Sequence, residues 1–147
     1  MEYSATSPSE NPFIALAKRY KDDPVLFARE ALQIEPDDWQ CEFLRHVADP
    51  TKRRISVRSG HGVGKSTAVA IIAVWHVLWR TPGKVVMTAP TSAQLFDALF
   101  AEVKSLIKRL KPPLNDLLDV KSDRVELRAS PADTFISCRT SRSSIGW

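Results

Sequence analysis

Apolar positions fall into short runs whose spacing changes along the chain. Asp23-Pro24 reads as a helix start, with Asp23 as N-cap, Pro24 at the first helical position, and Val25, Phe27, Ala28, Ala31 and Leu32 as its apolar side. Pro36-Asp37-Asp38-Trp39-Gln40 opens a second helix, in which Trp39, Phe43, Leu44 and Val47 recur at helical spacing. Arg54-Ile55-Ser56-Val57-Arg58 alternates with the two-residue period of a short strand. From Ala68 to Trp79 nearly every residue is apolar, which predicts a helix over Lys65 to Arg80 that is buried on most of its circumference. Thr81-Pro82-Gly83 ends it, and Lys84-Val85-Val86-Met87-Thr88 predicts the next strand.

The second half continues the pattern. Leu95, Phe96, Leu99, Phe100, Val103, Leu106, Ile107 and Leu110 form one face of an amphipathic helix that Pro112-Pro113 breaks. Arg124-Val125-Glu126-Leu127-Arg128 and Thr134-Phe135-Ile136-Ser137-Cys138-Arg139 predict two strands joined as a hairpin through Ala129 to Asp133. A strand, helix, strand succession around Lys65 to Arg80 predicts a right-handed crossover and neighbouring strands in a mostly parallel sheet. Residues 1–22 are expected to be a flexible segment, since Met1 to Asn11 holds too few apolar residues to bury. The domain is placed over residues 23–142, with 143–147 a short tail.

Composition narrows the class. A chain of 147 residues is long enough for one domain with a real core, and 44% apolar with 26% charged residues is ordinary for a globular protein. Cys41 and Cys138 stand in no metal-ligand spacing and read as reduced thiols. The N-terminus is polar and has no signal-peptide pattern, and the run Ala68 to Leu78, interrupted by His76, is too short to span a bilayer. Charge is uneven: Met1 to Asp49 has 5 basic and 10 acidic residues, whereas Pro50 to Trp147 has 16 basic and 7 acidic. A basic half suggests a polyanionic partner such as DNA, although a solvated face accounts for many charge runs.

The chemistry concentrates in Ser59-Gly60-His61-Gly62-Val63-Gly64-Lys65-Ser66-Thr67, between the alternating segment and the apolar helix. It meets the phosphate-loop pattern of a glycine, four free positions and Gly-Lys-Ser/Thr everywhere except at Ser59. Three of the chain's five glycines lie here, where a triphosphate requires backbone N–H groups to approach without a Cβ in the way. The helix beginning near Lys65 turns its N–H groups and positive dipole end toward the phosphates. Lys65 then reaches the β- and γ-phosphates of ATP, and Ser66 is a ligand of Mg²⁺. The competing reading is a glycine-rich strand-to-helix turn that is only structural. Gln40 has two readings as well. Its carboxamide can read adenine through N6 and N7, or it can be a surface amide beside a core Trp39. Thr91 and Gln94 fit a capping box at the carboxyl end of the Lys84–Thr88 strand, where ligands of α/β proteins gather. Lys104, Lys108, Arg109 and Lys111 suit a helix C-terminus irrespective of DNA.

Taken in order, Trp39-Gln40, Ser59 to Ser66, Thr88-Ala89-Pro90-Thr91-Ser92-Ala93-Gln94 and Phe135-Ile136-Ser137-Cys138-Arg139-Thr140-Ser141-Arg142 resemble the start of the ATPase domain of a bacteriophage terminase large subunit. The resemblance covers roughly Asp23 to Arg142. It implies a P-loop NTPase of the RecA-like, ASCE type, a three-layer fold with a mostly parallel sheet, incomplete at its C-terminal end. It implies ATP and Mg²⁺ as cofactors, with Gln40 contacting adenine, residues Ser59 through Thr67 holding the phosphates, Lys65 serving catalysis and Ser66 the metal. Thr91 to Gln94 is implied to couple nucleotide to DNA. The implied partners are double-stranded DNA, a phage portal and a small terminase subunit, in the host cytoplasm, with homo-oligomers formed only by the complete protein. Where many members of that family carry an arginine inside the loop, His61 stands here, with Arg58 just outside it.

Hydrolysis calls for a carboxylate after an apolar strand to hold Mg²⁺ and commonly for a glutamate that orients water. Leu117-Leu118-Asp119 is the closest approach to that pattern, with a short apolar lead and a place between elements. The chain is therefore expected to stop before the Walker B and nuclease regions, and to bind ATP while turning it over poorly alone. A fragment of a helicase-type ATPase shares the early glutamine and the Pro-Thr segment, and a non-catalytic DNA-binding or regulatory module is the remaining alternative.

Overall fold

The computed structural model describes residues 12–58, 60, 64–80, 82–112 and 114–140. In chain order these form α1 (Pro12–Tyr20), α2 (Pro24–Glu30), α3 (Asp38–Ala48), α4 (Lys65–Trp79) and β1 (Lys84–Ala89). A π-helical segment (Ala93–Phe100) then runs into α5 (Ala101–Arg109), and a 3₁₀ turn (Leu114–Leu117) precedes β2 (Leu118–Val120), β3 (Arg124–Leu127) and β4 (Phe135–Thr140).

The start of α2 forms as its sequence predicts. Asp23 Oδ1 accepts a hydrogen bond from Leu26 N at 3.0 Å, Pro24 takes the first position, and Val25, Phe27, Ala28, Ala31 and Leu32 are all buried. Residues 12–20, expected within a flexible segment, form α1 instead. Phe13, Leu16, Ala17 and Tyr20 lie on one side of that helix and pack onto the core, with the Phe13 ring 5.2 Å from that of Trp79. The expectations for Met1 to Asn11 and for 143–147 lie outside the described residues.

Helix α4 is the centre of the core. Ala70, Ile71, Val74, Trp75, Val77 and Leu78 are buried in it, and the Trp75 indole donates to the Tyr20 carbonyl at 2.7 Å, so α1 and α4 are joined by a satisfied polar contact inside an apolar interface. Next to it, His76 is half-buried, and desolvation, aided by Arg80, holds its pKa below the usual 6.5. The folded chain thus binds fewer protons here than the unfolded chain in the window just under pH 6.5. Stability is complete above that pH and declines as pH falls through the window. Melting temperatures scanned from pH 7.5 to 5.5 should fall, and His76→Gln should flatten the slope. Glu30, held low by Arg19, and Asp49, held low by Thr51, add losses only below their ordinary values of 4.5 and 3.8.

The sheet order is β1-β4-β3-β2. β1 and β4 are parallel, with Lys84 opposite Phe135 and Met87 opposite Cys138, whereas β3 pairs antiparallel with both β4 and β2. The sheet is mixed rather than mostly parallel, because the predicted hairpin supplies antiparallel neighbours on one side of β4. Two readings of the sequence are corrected. Residues Arg54 to Arg58 are an exposed, irregular segment, so the expected crossover from that segment to β1 is not made. Alternation is only half of what a strand requires, and these residues have no ladder partner among those described. Leu118 and Asp119, read as lying between elements, begin β2 and close the far edge of the sheet.

Register also decides the layers. Val85, Met87, Val125, Leu127 and Ile136 point to the helices and are mostly buried. Lys84, Val86, Thr88, Arg124, Glu126 and Phe135 lie on the other face, where Val86 is 51% exposed and the Arg124 guanidinium sits 4.3 Å from the Phe135 ring centroid. Among the described residues the helices cover one face, giving two layers in place of the three expected. No helix of the described residues is long and apolar enough to cross a membrane. Cys41 and Cys138 are both free thiols.

Candidate phosphate-binding site

Of the glycine-rich stretch, Gly60, Gly64, Lys65, Ser66 and Thr67 are described; Ser59, His61, Gly62 and Val63 lie outside the described residues. Gly64 is the N-cap of α4 with φ +87°, in the left-handed region that glycine enters at little cost. Among the described residues no side chain caps the helix, and its first turn carries no acidic residue. A 15-residue helix starting this way presents a partial positive charge with no carboxylate of its own to neutralise it. Lys65 is exposed on that turn, and Ser66 and Thr67 are half-buried. The loop sequence therefore does meet a helix N-terminus as predicted, although the segment leading into it is not a strand. Because only the short connection through Gly83 separates α4 from β1, the helix runs back along that strand, and its first turn lies toward the strand's carboxyl end.

Gln40 is brought to the same place. It is 6% exposed, its Oε1 accepts from Asp37 N at 2.8 Å, and its Nε2 donates to the Gly64 carbonyl at 2.9 Å. The first of these bonds is one half of a capping box at the start of α3. Two of the carboxamide's four hydrogen-bonding positions are thus used on backbone.

One nearby group escaped the sequence reading. Thr67 Oγ1 donates to Glu102 Oε2 at 3.1 Å, which sets a carboxylate one residue along from Ser66. A signal for it existed. Ala98-Leu99-Phe100-Ala101-Glu102 is four apolar residues followed by a carboxylate, a fuller match to the run-plus-acid pattern than Leu117-Leu118-Asp119, and it lies on a helix rather than after a strand. Ser66 could supply one hard oxygen ligand of the kind Mg²⁺ takes. No group of three or more His, Cys, Asp or Glu side chains among the described residues is arranged to hold a metal by itself.

At the carboxyl end of β1, Pro90 to Gln94 are exposed, and Thr91 Oγ1 accepts from Gln94 N at 3.1 Å, one half of the expected capping box. From Ala93 to Phe100 the chain is π-helical, a rare geometry associated with functional sites. The basic cluster beyond it is partly committed to the fold. Arg109 donates to the carbonyls of Leu32 and Gln33 at 3.0 and 3.1 Å, and Lys104 lies 4.7 Å from the Phe100 ring centroid.

No family model matches the chain. Over 100 residues it is 29% identical to a protein of Enterobacteria phage P7 described as a probable terminase, large subunit. The aligned stretch takes in 68% of this chain but spans only 19% of that relative's length. The comparison establishes a distant, partial likeness to a terminase large subunit, in a chain whose fold is α/β with a four-stranded mixed sheet.

Proposed function

We propose that this polypeptide is the ATP-binding portion of a terminase-like DNA-packaging ATPase. The observation that carries this reading is the placement of Gly64, in the left-handed region, directly before Lys65 and Ser66 in the first turn of α4, within a chain distantly similar to a terminase large subunit. In this reading the loop from Ser59 to Thr67 wraps the triphosphate, Lys65 neutralises the β- and γ-phosphates, and the Ser66 hydroxyl ligates Mg²⁺. Thr91 to Gln94, at the carboxyl end of β1, passes the state of the nucleotide to DNA. Duplex DNA, a portal and a small terminase subunit are the partners of the whole machine.

Calorimetric titration of the folded chain with Mg·ATP tests this directly. Saturable binding is expected, and no detectable heat at millimolar nucleotide from protein shown to be folded by circular dichroism would favour a DNA-binding or regulatory module.

A further inference from the structure

The carboxamide of Gln40 joins the starts of two helices. Through Oε1 it holds Asp37 N at the head of α3, and through Nε2 it holds the carbonyl of Gly64, the N-cap of α4, 24 residues away. That carbonyl is also the acceptor of the first bond inside α4, from Ala68 N at 3.1 Å, so both of its lone pairs are engaged. The packing is close as well as polar: a Cβ built on Gly64 would lie 2.6 Å from Gln40 Nε2. The left-handed conformation of Gly64 and the seat of the Gln40 side chain therefore specify each other. A substituent on Gly64 would push the amide away, and loss of the amide leaves the Gly64 carbonyl with one partner.

We propose that Gln40 is a positioning residue that fixes the direction of the first turn of α4 through Gly64, and that it does not select the base. The proposal rests on the reading of that turn as the triphosphate site. It follows that removing the Gln40 donor weakens every nucleoside triphosphate by the same factor, because the change lies in the aim of the phosphate-binding backbone.

Gln40→Glu separates the two bonds. At pH 8 the new carboxylate still accepts from Asp37 N but cannot donate to Gly64, whereas protonation of the carboxyl at lower pH restores a donor. Gln40→Met, of similar volume, removes both bonds and serves as the second variant. Two readouts are compared with the wild-type chain at each pH: amide exchange of residues Lys65 to Ala68 without nucleotide, and the affinities for Mg·ATP and Mg·GTP. Exchange at the start of α4 should quicken in both variants. Affinity should fall by about 5- to 10-fold for ATP and GTP alike, with part of the loss recovered at lower pH in Gln40→Glu alone. Unchanged exchange at Lys65 to Ala68 in both variants overturns the proposal. So does a loss confined to ATP, which would make Gln40 a reader of adenine. A wild-type chain that binds neither nucleotide removes the triphosphate site and with it this proposal, while quickened exchange would still establish the tie between α3 and α4.

Discussion

Lys65→Ala should weaken Mg·ATP binding by about 10- to 100-fold while leaving the melting temperature nearly unchanged. The two halves of this expectation have separate causes. A charge-assisted hydrogen bond from an ammonium to a phosphate contributes about 1.5–3 kcal/mol, and nothing else on the first turn of α4 carries a positive side chain. Stability is largely spared because Lys65 is exposed, where a side-chain interaction contributes about 1 kcal/mol or less, and alanine is the best helix former. Calorimetry and thermal melts on the same samples check both. Parallel loss of affinity and stability would mean that the lysine serves the fold rather than an anion. Lys65→Arg should recover only part of the affinity, since a planar guanidinium does not reproduce the compact point charge of an ammonium at a phosphate.

Trp75→Ala should cost about 3–5 kcal/mol, seen as a drop in the urea midpoint and in the melting temperature by roughly 10–15 °C. The indole is buried in the middle of α4, bonded to the Tyr20 carbonyl at 2.7 Å and covered by the Arg80 guanidinium 4.8 Å from its ring centroid. Its removal opens a cavity and also orphans a buried acceptor. Trp75→Phe keeps most of the volume and loses the donor, so about 1–3 kcal/mol of the effect should remain. Equal stability of the two variants would assign the whole effect to hydrogen bonding and leave no share for packing. Against a total stability of about 5–15 kcal/mol for a single domain, the alanine variant is the one that brings this chain near unfolding.

Local chemistry is legible wherever neighbouring residues supply it. The cap on α2 requires only Asp23, Pro24 and Leu26, all close together in the chain. The apolar run of α4 has one reading because a helix buried on most sides has no polar face to place. The hairpin of β3 and β4 forms as predicted because its two strands follow each other directly. By contrast, Arg54 to Arg58 carries a strand pattern and is no strand, since the ladder would have to come from another part of the chain. Leu118 to Val120 escapes a reading of the sequence for the opposite reason: three residues carry too little periodicity to be read, yet β3 beside them provides the pairing. α1 is hidden because its apolar side, Phe13, Leu16, Ala17 and Tyr20, comes after a polar N-terminus that dominates the composition of residues 1–22.

Sequence alone determined that a Gly-Lys-Ser turn meets a long buried helix, because glycine content, capping and apolar spacing act between residues a few positions apart. Only the tertiary structure decided that the sheet is mixed, that helices cover one of its faces, and that Gln40 and Glu102 reach Gly64 and Thr67. The two side-chain bonds join residues 24 and 35 apart along the chain, and the parallel pairing of β1 with β4 joins residues 51 apart, as Lys84 with Phe135. Such contacts are set by how helices and strands pack on one another, a competition among whole elements that no local pattern of residues encodes.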